Sequence, residues 1–385
     1  MPARRLRRPV SAALALALAP AVVLPGIASP AAATSPPAAT ASATRPALDL
    51  IGQELFATGT TFRGTEVGGL SGLAWDADRR EYVALSDDRG DIDPARFYTL
   101  SIDLSDGRLN EGDVRFRHVT TLTRPGGRQF GPGTVDPEGI AVLPDGRLVI
   151  TSEGDASALI DPFVGVFGRD GRQRYGLPVA PPYRPVADAS RGIRDNLAFE
   201  SATITPGGGY LFTATENALE QDGPAATPDH GSPSRLLRYD LRSGSLDRTV
   251  VYRTGPVAAE PVPAGGFATN GLVELLALDR HTLLALERSF SVGVGNNVKI
   301  YLVDTSGATD VTGLGSIKRY DGQLVAARKT LVLDLGTLGI TLDNLEGMTF
   351  GPRLPDGRRS LILVSDNNFS GTQVTQFLAF AMSRD

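Results

Sequence analysis

One hairpin-shaped word occurs five times along this chain, and no other feature limits the possible folds as strongly. Residues 135–155, VDPEGIAVLPDGRLVITSEGD, show it clearly. Ile140 and Val142, then Leu148 and Ile150, alternate with smaller or polar residues, and Pro144-Asp145-Gly146 supplies turn chemistry between the two runs. Glu138 precedes the hairpin and Glu153 follows it, so antiparallel pairing brings both carboxylates to its open end. The word returns as GGLSGLAWDADRREYVALSDD (68–88), NLAFESATITPGGGYLFTATENA (196–218), NGLVELLALDRHTLLALERSF (270–290) and DNLEGMTFGPRLPDGRRSLILVSDNN (343–368). The copies start roughly every 60 to 75 residues, the mark of a repeat architecture.

Further strand signals lie between the hairpins. FYTLSIDL and DVRFRHVTTL follow the first, RLLRYDL and RTVVYRT the third, VKIYLVD and KTLVLDL the fourth. Four strands per repeat is a β-propeller blade. After the fifth hairpin only QVTQFLAFAM remains, one strand short, and LDLIGQELFAT (48–58) is the candidate to close the ring as the outer strand of the last blade. The expected fold is therefore all-β, a propeller of five four-stranded blades, with six as the alternative if a long inter-strand stretch hides a degenerate blade.

The 385-residue chain carries a formal net charge of -5 and has no basic tract beyond its first eight residues, which argues against nucleic acid as a partner. Arg4, Arg5, Arg7 and Arg8 precede an apolar run from Ala12 to Val23 and small residues ending at Ala33. That pattern predicts a cleaved signal peptide over residues 1–33 and a secreted protein, by the general secretory route in preference to the twin-arginine one. The apolar run is too short for a membrane span. Residues 34–47 read as a flexible Pro/Ala/Ser/Thr linker, leaving 48–385 as the folded domain. There is no cysteine, so thiolate chemistry and disulfide stapling are excluded, and a full-sized core or bound metal must supply stability.

Four pieces, EGIAVLPDGRLVITSEGD, NGLVELLALDRHTLLALERSF, NLEGMTF and NNFSGTQVTQFLAFAM, resemble the secreted phytase-like family, described as having esterase-like activity of phytase. The resemblance runs from about residue 48 to the end. It implies phosphate-ester hydrolysis on a propeller, with divalent cations by analogy to β-propeller phytases. No individual ligand of those enzymes can be carried onto a position of this chain.

Blade geometry turns the recurring acids into a site. Glu138, Glu200 and Glu346 stand at first-strand starts, with Asn270 or Glu274 in the fourth repeat. Asp87, Asp88, Glu153, Glu216, Glu287 and Asp366 stand at second-strand ends. Five blades gather these at one mouth of the channel. Like charges at close range repel, and hard divalent cations such as calcium neutralise them with about six to eight oxygen ligands. The expected metal ligands are Asp87, Glu138, Glu153, Glu216, Glu287 and Asp366, with neutral oxygens from Asn217, Asn367 and Asn368. Glu138, Glu200 and Glu346 are the catalytic carboxylates, and Arg89 and Arg288 the groups that meet a phosphate; Arg191 and Arg194 are further cations in the loop before the third blade. Each position also has an ordinary alternative. A Glu before Gly accepts backbone N–H bonds from the next blade, the polar clusters suit turns, and Arg89 and Arg288 pair with their acidic neighbours.

No Gly-x-Ser-x-Gly elbow occurs, and three histidines offer little for nucleophilic serine chemistry. Of these, His281 falls in a hairpin turn, His118 in an outer strand, and His230 in a top-face insertion from which it alone can approach the mouth. PGGRQFGPG (125–133) lacks the Lys-Ser/Thr of a phosphate-cradling loop. The leading expectation is a secreted, metal-dependent hydrolase of phosphate monoesters, phytate among them, working as a monomer on a small anionic substrate. The alternatives are a lactonase or carboxylic-ester hydrolase of the gluconolactonase kind, and a non-catalytic extracellular binding propeller.

Overall fold

A computed structural model describes residues 45–383; the segment read as a signal peptide and nearly all of the linker lie outside the described residues. The alternating apolar runs form strands that assemble into five four-stranded antiparallel sheets. The first blade comprises β4 (Leu70–Asp76), β5 (Glu81–Ser86), β6 (Arg96–Ile102) and β7 (Val114–Thr121). The second has β8 (Pro137–Val142), β9 (Leu148–Ser152), β10 (Phe163–Phe167) and β11 (Gln173–Leu177). The third has β12 (Thr203–Ile204), β13 (Tyr210–Ala214), β14 (Pro233–Asp240) and β15 (Ser245–Arg253). The fourth has β16 (Ala268–Ala277), β17 (Thr282–Ser291), β18 (Gly295–Asp304) and β19 (Arg328–Asp334). The fifth has β20 (Asn344–Arg353), β21 (Arg359–Asp366) and β22 (Val374–Met382), and its outermost place is taken by β1 (Leu48–Ala57). A two-residue ribbon, β2 (Thr61–Phe62) with β3 (Thr65–Glu66), links β1 to the first blade.

β1 runs antiparallel to β22 from Leu48 opposite Met382 to Ala57 opposite Val374. The strand missing from the last repeat is thus supplied by the start of the domain, and the ring closes with five blades. Among the described residues the helical segments are three 3-10 turns, Pro181–Tyr183, Lys318–Tyr320 and Leu335–Leu338. No helix is long and apolar enough to cross a membrane among the described residues.

Apolar side chains from facing sheets fill the spaces between blades. Val364, Phe377 and Ala379 of the fifth blade pack with Leu73, Tyr82 and Tyr98 of the first, and each other blade boundary has its own buried cluster. A sixth cluster of Val251, Val311 and Ile317 seats the long β18–β19 connection against β15.

The inner strands carry a repeated irregularity. The pairing register shifts between Leu70 and Gly72, Pro137 and Ile140, Leu272 and Glu274, and Leu345 and Gly347, at the same end of four of the five inner hairpins. These are β-bulges, which free a residue from the ladder and re-aim its side chain. Glu138 and Glu346 occupy two of them. The glycine after each lies against the neighbouring blade: a Cβ on Gly139 would meet the Ser201 carbonyl carbon at 2.4 Å, and one on Gly347 the Ser71 oxygen at 3.1 Å. Glu-Gly therefore combines an aimed carboxylate with a backbone approach that only glycine allows.

Candidate functional site

The bulged ends of the inner strands surround a cavity of about 970 Å³. Among the described residues nine carboxyl groups line it: Asp87, Asp136, Glu138, Asp195, Glu200, Glu216, Asp343, Glu346 and Asp366. Two guanidinium groups, Arg89 and Arg288, face them.

The second and third blades supply the densest part. Oxygens of Asp136, Glu138 and Glu153 lie within 4.8 Å of one another, and all three side chains are buried. Glu153 sits beneath the cavity wall, accepting the Ala198 N–H and sharing a carboxyl–carboxyl hydrogen bond with Glu200. Burial first, and then repulsion from neighbouring carboxylates, favours the protonated form of these acids. Asp136 is pushed up to about 6, with Arg89 opposing the shift, and Glu153 to about 8. Glu138 and Glu200 are raised well above the ordinary glutamate range, also by burial and then by their acidic neighbours.

On the other side, Arg288 Nη2 donates to Glu346 Oε1 at 2.6 Å and lies 3.9 Å from Glu216 Oε1. Burial pushes Glu216 up to about 7 against the pull of Arg288, and Glu216 Oε1 is buried without a hydrogen-bond partner. Asp366, which accepts from the Asn368 N–H at 2.6 Å and Asn344 Nδ2 at 3.2 Å, is pushed up to about 8 by burial and then by Glu346. Asp87 is raised well above its usual range by burial, then by Asp366 and Glu346. Arg89 bridges to Asp155 at 2.6 Å and to Asp136 at 3.5 Å. Both arginines therefore pair across blades, not with the acids beside them in sequence.

Several expected members stand elsewhere. Glu287 does not join the ring: its carboxylate accepts from Tyr252 Oη at 2.6 Å, the Gly255 N–H at 2.9 Å and Lys329 Nζ. Side chains alternate across a strand, so when Arg288 points to the channel Glu287 must point the other way. Asp88 is likewise turned into the blade, where it accepts four loop N–H groups from Gly90 to Asp93 and pairs with buried Arg96 at 2.7 Å. Glu274 is enclosed and accepts the backbone N–H of Leu275, with those of Met348 and Ala202 also directed at it. Asn270 Nδ2 donates to Gly255 O, while Asn217 and Asn367 are occupied with backbone partners; Asn368 does line the cavity. Arg194 is held by Glu220, and neither it nor Arg191 lines the cavity. His230 does not reach the cavity wall either; its Nδ1 lies 3.3 Å from Gly231 O.

Sequence reading missed Asp136, Asp195 and Asp343 in the wall, and the aromatic residues Phe267 and Phe290. A signal existed for two of the acids, since Asp136 and Asp343 stand two and three residues before the bulge glutamates. Asp195 and Phe267 lie in loops whose path only the folded chain defines.

A protein-family model described as "Phytase-like: Esterase-like activity of phytase" matches residues 65–369. No curated protein sequence matches the chain. Similar solved structures include an endo-arabinase from Bacteroides thetaiotaomicron (12% identity, 83% of this chain and 95% of that one, TM-score 0.42). The periplasmic gluconolactonase of Pseudomonas aeruginosa is similar at 16% identity, over 83% and 87% of the chains, with a TM-score of 0.35. A luciferin-regenerating enzyme is similar at 11% identity, over 83% and 93%, with a TM-score of 0.36.

Proposed function

The chain belongs to the phytase-like family, that of the esterase-like activity of phytase, and from that premise we propose that it is an exported, divalent-cation-dependent hydrolase of phosphate monoesters. Family membership supports a hydrolase in general; the cation and the phosphate monoester are our reading of the cavity. The observation that carries this reading is the charge imbalance of nine carboxyl groups against two guanidinium groups around one cavity.

The donor set suits a hard divalent ion such as calcium. Asp136, Glu138 and Glu153 can direct oxygens to a common point, and Glu216 Oε1 is buried with nothing to bond. Asp87 and Asp366 extend the oxygen supply on the fifth-blade side. A cation held by these residues would supply Lewis acidity toward a phosphoryl oxygen and would make water more acidic.

The chain's own residues do the remainder. Arg288, anchored by Glu346, keeps its Nε–H without an acceptor, and Arg89 does the same beside Asp155. Both guanidinium groups line the cavity, where they can meet a phosphoryl oxygen. Glu346, held beside a guanidinium, takes the proton of the attacking water. Glu200, whose proton burial retains, returns one to the leaving alcohol oxygen as the P–O bond breaks.

The test is release of phosphate from 4-nitrophenyl phosphate and glycerol 2-phosphate by the full chain, in calcium and in chelator. A carboxylic ester and a lactone run in parallel. Calcium-dependent phosphate release, lost in Glu138→Gln, is the expected result. Ester or lactone turnover without phosphate release replaces this reading with the lactonase one. Absence of all turnover with calcium present leaves a binding propeller.

A further inference from the structure

The fourth blade contributes to the cavity differently from the others. It supplies no carboxylate to the wall, because Glu287 points away, and instead presents Arg288, Phe290 and Asn296, with Phe267 just before β16. Resting on the phosphate-monoester reading, we propose that this sector selects monoesters whose alcohol portion is apolar and aromatic, and that Phe267 and Phe290 determine this specificity.

Spacing along β17 supports the assignment. Arg288 and Phe290 are two residues apart, hence on the same face and about 7 Å apart along the strand. A phosphate met by Arg288 therefore places its ester substituent beside Phe290. The Phe267 and Phe290 rings are 6.2 Å apart and together form one wall. Next to them Asn296, opposite Phe290 in the β17–β18 ladder, also lines the cavity.

The wall continues outward as an apolar lip. Phe267 is 68% exposed, Val262 63% and Val294 54%, an unusual concentration of open apolar surface beside so acidic a cavity. It is also built before substrate arrives. Val262 N–H donates to Val292 O at 2.8 Å, Val292 N–H to Phe267 O at 3.0 Å, and Ser291 Oγ to Ala259 O at 2.6 Å, tying the 256–267 loop to the β17–β18 turn. Inositol hexakisphosphate, with a phosphate on every ring carbon, has no apolar face to offer such a wall.

Binding of two unreactive probes to the calcium-loaded full chain tests this apart from turnover. Benzylphosphonate should bind about tenfold more tightly than methylphosphonate by titration calorimetry. Phe267→Ala should abolish most of that ratio while leaving methylphosphonate affinity unchanged. Phe290→Leu, which keeps an apolar side chain of similar volume, should reduce the ratio by a smaller factor. Equal affinity for the two probes, or no binding of the aryl one, overturns the proposal even if phosphate monoesters are hydrolysed. An aryl preference without any hydrolysis upholds the wall and removes the phosphatase reading instead. A concentration-dependent dimer that Phe267→Ala abolishes would assign the lip to a second copy of the chain and overturn the proposal as well.

Discussion

Arg288 is the residue on which the charge balance of the cavity turns. It holds Glu346 at 2.6 Å and is the nearest cation to Glu216, so it offsets two blades' worth of carboxylate from a third. Arg288→Lys retains the charge and loses the planar fork. We expect kcat/KM on phosphate monoesters to fall by about tenfold or more, with little change in melting temperature; unaltered turnover would show that Arg288 does not meet the phosphate. Arg235 offers a contrast that sequence position alone misjudges. Read as the first residue of an outer strand, it would be a harmless site for substitution. It lies in β14, the third strand of its blade, and is buried against Asp222 with Nε to Oδ2 at 2.6 Å. Arg235→Ala leaves a buried carboxylate without its counter-charge and should cost about 3–5 kcal/mol in denaturant unfolding, although neither residue lines the cavity. A loss below about 1 kcal/mol would mean that Asp222 finds water or a proton without penalty.

At the scale of elements, β1 does more than complete the fifth blade. Glu54 accepts the N–H groups of Gly112 at 2.9 Å and Val114 at 2.7 Å, and Leu109 N–H donates to Ile51 O at 3.2 Å. The closing strand thus fastens the last blade and the first at once. Deleting residues 48–58 exposes the β22 edge and releases both attachments, so the shortened chain should lose several kcal/mol or aggregate relative to one beginning at residue 45. Melting curves with light scattering decide this, and coincident curves would show that β1 is dispensable. The bulges are the second element-scale device. Strand alternation would send a side chain to the channel every second residue, and an extra residue at the strand start lets Glu138 and Glu346 join that face without displacing the ladder beyond.

For the whole molecule, the buried acids link stability to pH and to cations. Asp136 at about 6, Glu216 at about 7, and Glu153 and Asp366 at about 8 all lie above the unfolded carboxyl range near about 4. Between those limits the folded state binds more protons than the unfolded one, so stability falls as pH rises through the window. In chelator, the melting temperature should therefore be higher near pH 5 than near pH 8.5. Under the proposed function a calcium ion would displace protons from these acids, so its stabilising increment should grow with pH, and Glu138→Gln should shrink that increment. A chelated protein whose melting temperature rises from pH 5 to 8.5, or ignores calcium at the upper end, would remove the cation from the proposal.

The periodic words in the chain pointed to five blades, with six left open, to the candidate closing strand, and to the end of the hairpins at which acids collect. Strands, hairpins and the end at which acids collect are local consequences of alternation, turn residues and antiparallel pairing, while the closing strand follows from counting one strand too few in the last repeat. Which acids face the channel was decided by tertiary structure. Glu138 and Glu346 are turned inward by bulges, while Glu287 and Asp88 are turned away to Tyr252, Lys329 and Arg96, partners brought up by other strands and loops. Asp195 and Phe267 enter the cavity on loops with no repeat to announce them. A twofold strand period assigns a residue to one of two faces only when the ladder is regular, and a shift of one residue reverses the assignment. Glu138 and Glu346 reach the cavity where the ladder is irregular, so the make-up of its wall depended on more than the strand period.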